Sequence, residues 1–99
     1  MARGSTGLWR TVGHPVPVDF TDRDLQGKDF SGQDLSGANF TRAQLTEANL
    51  TRCTLRNAIF IEANLSGADL SETDAVGADF TCANLTHTKL VKPTLPPSA

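Results

Sequence analysis

Apolar side chains return every fifth position along this chain. Taken every fifth residue from 20 to 95, 15 of 16 positions are Phe or Leu, and only Ala75 departs. Phe20, Phe40, Phe60 and Phe80 stand twenty apart, with Leu25, Phe30 and Leu35 filling the first interval. A period of five fits neither a helical face, which recurs at about 3.6, nor a strand, which alternates at about 2. It predicts a chain that turns a corner every five residues, and the phenylalanine interval predicts that four corners close one coil.

The remaining slots of the five-residue unit support that geometry. Two residues before each centre the chain is most often Ala, as at Ala38, Ala43, Ala48, Ala58, Ala63, Ala68, Ala78 and Ala83. Centre and Ala slots are two apart, so in extended backbone they point the same way and fill a narrow interior with large and small side chains. The slot before the centre is Asp or Asn at 11 of 16 units, and the slot after it is Ser or Thr at 10 of 16. Both are expected to point outward and stay solvated. Gly27, Gly32, Gly37, Gly67 and Gly77 occupy the corner, which suits the positive φ of a type II turn. Corners at Arg42, Glu47, Arg52, Glu62 and Glu72 are expected to use a turn without positive φ.

Stacking the coils sorts residues onto four faces. Face one stacks the four phenylalanines, face two Leu25, Leu45, Leu65 and Leu85, face three Phe30, Leu50, Leu70 and Leu90, and face four Leu35, Leu55, Ala75 and Leu95. Four coils at about 4.8 Å give a column about 20 Å tall. Looser packing is expected where Ala75 meets Thr73. The first coil places Val18, Arg23, Lys28 and Gln33 in the Ala slot, and their long polar side chains are expected to turn out at the open end.

Three segments follow: 1–17 before the repeat, the repeat over 18–92, and a Pro-rich tail over 93–99. Leu8, Trp9 and Val12 fit a cap over the exposed first coil, and Trp9 equally fits a partner anchor. Pro93, Pro96 and Pro97 cannot donate to a further coil and are expected to stop the stack.

The unit, as in Ala38-Asn39-Phe40-Thr41-Arg42, Ala63-Asn64-Leu65-Ser66-Gly67 and Ala78-Asp79-Phe80-Thr81-Cys82, resembles the pentapeptide-repeat family motif, Ala-Asp/Asn-Leu/Phe-X-X. The resemblance spans some fifteen units over 18–92. It implies an all-β fold, a right-handed quadrilateral β-helix of about four coils. A rigid column with flat faces and no chemical group suits a non-catalytic structural or protein-interaction module, a component of a larger assembly. The resemblance implies a second kind of function, mimicry of duplex DNA at a type II topoisomerase such as DNA gyrase, as in some family members.

Composition narrows the chemistry. A net charge of −2, from 9 Lys+Arg and 11 Asp+Glu, advertises neither nucleic acid nor membrane. No catalytic, cofactor or metal constellation stands out: His14 and His87 lack Cys or His at ligand spacing, and the glycines recur at corners instead of gathering before a helix. Cys53 is expected inside and Cys82 at an outer corner, both unpaired. Residues 1–11 carry arginines without the apolar run of a signal peptide, and a cytoplasmic location, or one within a virion or particle, is expected. A protein partner is expected, without direct nucleic-acid or membrane contact. The surface departs from its pattern at Ile59 and Ile61, where other coils carry Asp or Asn and Thr. Partner contact and ordinary β surface both fit that pair. Face one sums to −3 and face three to +1, a mild polarity between sides.

Overall fold

The computed structural model describes residues 18–92 and Thr94. The chain winds as four stacked coils: coil 1 over 18–37, coil 2 over 38–57, coil 3 over 58–77, and coil 4 from 78 onward. Twelve parallel bridges join them, every one between residues twenty apart. Four bridges cross each junction, one per side, as in Asp19↔Asn39, Asp24↔Gln44, Asp29↔Asn49 and Asp34↔Thr54. Among the described residues no side extends into a continuous strand, because a corner intervenes every five residues. The result is a four-sided β-helix whose sheets are columns of single bridges.

The five-residue unit is a closed account of backbone donors. The centre donates to the next coil (Phe40 N to Ile59 O, 2.6 Å), and so does the corner residue two later (Arg42 N to Ile61 O, 2.9 Å). The residue before the centre donates to the coil behind (Asn39 N to Val18 O, 2.9 Å). The first residue past the corner closes the turn (Ala43 N to Phe40 O, 2.9 Å). One donor remains, on the residue after the centre, and the Asp or Asn side chain two positions earlier accepts it: Thr41 N donates to Asn39 Oδ1 at 3.0 Å. Buried or shielded amides need such partners, and the unit supplies all five where the slot before the centre is Asp or Asn.

The corners overturn one expectation. Positive φ is not reserved for glycine: Asp22, Arg42, Glu47, Arg52, Asn57, Glu62, Glu72, Cys82, His87 and Lys92 all sit at φ of 54–62°. Left-handed backbone costs an L-residue about 1–2 kcal/mol. In coils 1–3 it goes with a corner N–H that lies along the column and reaches the next coil, and Cys82, His87 and Lys92 keep the same conformation without such a bond among the described residues. Glycine does serve a second purpose at Gly77, where a Cβ would meet Asn57 Oδ1 at 2.3 Å.

The interior is dry over coils 2 and 3. Phe40, Phe60, Leu45, Leu50, Leu55 and Leu65 are fully buried. Phe20, Phe40, Phe60 and Phe80 stack with ring centroids 5.0, 4.8 and 4.9 Å apart and interplanar angles of 16°, 2° and 5°. Phe30 meets Phe20 and Phe40 edge-on at 5.8 and 6.2 Å, an aromatic contact across the shaft that a column-by-column reading misses. Offset and edge-on pairs add about 0.5–1.5 kcal/mol each beyond area burial.

Other expectations meet mixed outcomes. Ala75 and Thr73 are both buried, and the Thr73 hydroxyl donates to Leu70 O at 2.9 Å, so the small centre opens no path to solvent. Arg23 and Lys28 are exposed, whereas Gln33 is half-buried and its Oε1 has no hydrogen-bond partner among the described residues. Cys53 is buried and donates Sγ–H to Phe30 O, and Cys82 is exposed; both thiols are free. Leu85 and Leu90 are not sealed inside: with no coil beyond them among the described residues, they stay 36% and 40% exposed. The segment 1–17 and the tail residues Pro93 and 95–99 lie outside the described residues, and with them Trp9, His14, Leu95 and the expected stops at Pro93, Pro96 and Pro97.

Truncating the middle of the ring column tests this inside-out assignment. Phe60→Ala is expected to cost about 3–5 kcal/mol as a buried aromatic deletion. Glu72→Ala, on an exposed corner, is expected to change stability by no more than about 0.5 kcal/mol. Denaturant melts of both variants check it, and equal small losses would contradict the assignment.

Candidate functional site

The outer surface is built by the same unit. All eleven Asp and Asn residues of the outward slot behave alike. In Asp19–Thr21, Asn49–Thr51, Asn64–Ser66, Asp79–Thr81 and Asn84–Thr86, Oδ1 accepts the backbone N–H two residues on. A Thr hydroxyl often donates to the same oxygen, as from Thr21 at 2.6 Å and Thr86 at 2.6 Å. These side chains therefore brace the corners, beyond the solvation that their outward slot predicts. The signal for this was present in the Asx-x-Ser/Thr spacing, which is that of an Asx turn.

Ile59 interrupts the bracing. It bridges Asn39 and Asp79 in the column, and among the described residues Ile61 N has no acceptor, as is also true of Thr46 N after Gln44 and Arg56 N after Thr54. Both isoleucines are half-buried between the coils above and below. Face one thus carries a small apolar strip with an open amide at its middle. The most exposed large apolar side chains lie elsewhere: Val76, Leu85, Leu90 and Val91, the last 57% exposed. Three of those four belong to coil 4, and Phe80 beside them is half-buried. On this end the backbone N–H groups of Phe80, Cys82, Leu85, His87, Leu90 and Lys92 have no partner among the described residues, although their counterparts in coils 1–3 all donate onward. Among the described residues no coil stacks on coil 4, and its centres Leu85 and Leu90 stay 36% and 40% exposed. The sequence did not single out Leu85, Leu90 or Val91, because the first two match the repeat and the third is a lone valine.

Charge is organised along the column, more than around it. Coil 1 carries Asp19, Asp22, Asp24, Asp29 and Asp34 against Arg23 and Lys28, net −3. Coil 2 carries Arg42, Arg52 and Arg56 against Glu47, net +2. Coil 3 carries Glu62, Asp69, Glu72 and Asp74, net −4. Coil 4 carries Lys89 and Lys92 against Asp79, net +1. Arg42 ties three coils, lying 2.8 Å from Asp22 and 4.0 Å from Glu62, and Arg56 reaches Asp74 at 2.8 Å.

Chemistry at these positions is muted. Burial pushes the Cys53 thiol up to about 11, so it stays protonated and a poor nucleophile. Among the described residues no group of three or more His, Cys, Asp or Glu side chains is arranged to hold a metal ion. Hydrogen bonds from Thr21 hold the Asp19 carboxyl below its ordinary value, and those from Thr81 do the same for Asp79. The Arg42 guanidinium lowers Asp22, and Arg56 lowers Asp74.

A depressed folded-state value contributes stability that is present above the unfolded carboxylate pKa, about 3.9, and lost as pH falls through the folded values. The melting temperature is therefore expected to hold from pH 7 to pH 5 and to drop below about pH 4. Asp79→Asn keeps the bracing oxygen and removes the titration, so its acid loss is expected to be smaller. Scanning calorimetry across that range checks both, and a flat profile down to pH 2 would contradict them.

The geometry agrees with known proteins. The family model described as pentapeptide repeats (8 copies) matches over residues 18–52, 38–74 and 58–92. No match was found among curated proteins. Among solved structures, the chain is similar to a pentapeptide repeat protein of the Arabidopsis thaliana thylakoid lumen, at 46% identity and a TM-score of 0.76, over 77% of this chain and 52% of that one. It is also similar to HetL of the cyanobacterium Nostoc, a pentapeptide repeat protein involved in regulating heterocyst differentiation, at 28% identity and a TM-score of 0.56, over 84% of this chain and 47% of that one. A third is Rfr23 of the cyanobacterium Cyanothece, at 28% identity and a TM-score of 0.52, over 81% of this chain and 65% of that one. The chain spans about half the length of the first two. With a square coil, a five-residue hydrogen-bond unit and a family match over 18–92, the chain belongs to the pentapeptide-repeat family.

Proposed function

We propose that this chain is a non-catalytic structural module that binds protein partners within a larger assembly, in the cytoplasm or inside a particle. The winding is taken as right-handed, the hand of the family's quadrilateral β-helices. Family members are generally non-catalytic, and the described surface offers contacts in place of reactive groups. The observation that carries the reading is the exposure of Leu85, Leu90 and Val91 on coil 4, 36%, 40% and 57%, with no coil stacked on them among the described residues. Apolar groups of this kind beside unpaired amides fit a protein contact. Ile59, Ile61 and their open amide supply a second, smaller contact on face one. Trp9 remains a candidate anchor by its residue type alone.

Mimicry of duplex DNA draws less support. DNA presents one negative charge per about 1.7 Å of axis without alternation. Here acidic coils alternate with basic ones along the axis, and their fields oppose one another. Neither relative's printed role, in the thylakoid lumen or in heterocyst regulation, is carried to this chain.

Capture of partners on immobilised protein tests the reading, with two surface variants beside the wild type. Val91→Lys alters the most exposed apolar residue of coil 4. Ile59→Asn/Ile61→Thr restores on face one the residues that coil 2 carries at Asn39 and Thr41, including the missing Oδ1 acceptor. Partners recovered by the wild type are expected to fall at least tenfold with Val91→Lys, at unchanged melting temperature. Equal recovery by all three proteins would remove both surfaces, and inhibition of gyrase supercoiling by the wild type would restore DNA mimicry.

A further inference from the structure

The alternation of charge between coils has more reach than the three ion pairs it contains. Successive coils stack 4.8–5.0 Å apart, as the phenylalanine rings record. That is well inside the Debye length of about 10 Å at 0.1 M salt, so charges on the same side of successive coils interact across each junction. The sequence of net charges, −3, +2, −4 and +1, sets every coil against neighbours of opposite sign. The pattern is built from two independent slots. In coil 1 all four bracing positions are Asp19, Asp24, Asp29 and Asp34, while in coil 2 they are the uncharged Asn39, Gln44, Asn49 and Thr54. At the corners the cations Arg42 and Arg52 fall in coil 2 and Lys92 in coil 4, while the acids Glu62 and Glu72 fall in coil 3. Each exposed pair alone is worth little, and only their common sign along the axis makes the sum count.

We propose that these alternating charge bands act as an axial tie, making the column a stack that salt or acid loosens. The tie is a field of whole coils, not a set of bonded pairs. Near neutral pH the bands attract, so added salt screens attraction and destabilises. Near pH 2 the carboxylates are protonated and the bands lose their alternation. Coil 1 then keeps Arg23 and Lys28, coil 2 keeps Arg42, Arg52 and Arg56, coil 3 is uncharged, and coil 4 keeps Lys89 and Lys92. The remaining charges repel, and added salt stabilises.

Thermal melts at low and high sodium chloride, at pH 7 and at about pH 2, test the tie. The effect of salt on the melting temperature is expected to change sign between the two pH values. A variant that keeps net charge and every ion pair but blurs the bands separates field from pairs. Arg52→Glu/Glu72→Arg exchanges two residues of one corner column, neither of them in an ion pair, and takes coil 2 from +2 to 0 and coil 3 from −4 to −2. Its melting temperature in low salt is expected to drop by about 2–4 °C, with a flatter salt response. Glu47→Gln removes the one acid of coil 2 and is expected to shift the melting temperature upward, which keeps the test alive should the exchange variant fail to fold. A salt effect of one sign at both pH values overturns the proposal, as do melting temperatures unchanged in both variants.

Discussion

Five amide donors per unit must each find an acceptor, and the whole molecule follows from how they do. Two reach forward to the next coil, one reaches back, one closes the corner, and one is taken by an Asp or Asn side chain. The forward corner donor accompanies left-handed backbone at Asp22, Arg42, Glu47, Arg52, Asn57, Glu62 and Glu72, and Cys82, His87 and Lys92 share that conformation. The conformational cost there, about 1–2 kcal/mol per residue, is offset by the ladder bond and by burial of the adjacent centre. Because every coil meets its neighbours through the same bonds, stability is close to a sum of coil-to-coil terms. The middle coils, with neighbours on both sides, hold the fully buried Phe40 and Phe60, while Phe20 and Phe80 at the ends are half-buried.

Much of this was legible in the chain before any coordinates. The twenty-residue phenylalanine interval translates directly into four rings stacked at 4.8–5.0 Å, because a spacing of five leaves no helix or strand to compete with it. The corner conformation was not legible. Glycine at some corners suggested that only glycine takes positive φ, whereas every described corner takes it whatever its residue, Cys82, His87 and Lys92 included. The Asp and Asn slots were read as solvated because the period already accounted for them. Their bracing role depends on the partner two residues on, which a slot-by-slot count separates from them.

The candidate surfaces were legible in part. Ile59 and Ile61 stood out because they break the pattern, and the structure gives that break a meaning in the unaccepted amide of Ile61. Leu85 and Leu90 could not stand out, since they obey the pattern as Leu45 and Leu50 do, and only their exposure in the structure distinguishes them. The charge bands were hidden for a related reason. Summing by face mixes coils of opposite sign, and the alternation appears only when charges are grouped by turn of the column.

The bracing oxygen has one further implication. Asn and Asp offer the same Oδ1 to the same amide, as Asn39 and Asp79 do in one column. Exchanging one for the other leaves the architecture intact and changes the electrostatic value of that storey by a full unit. Shape and charge are thus decoupled at eleven points of the surface, and a scaffold of this kind can be re-addressed to differently charged partners by single conservative replacements.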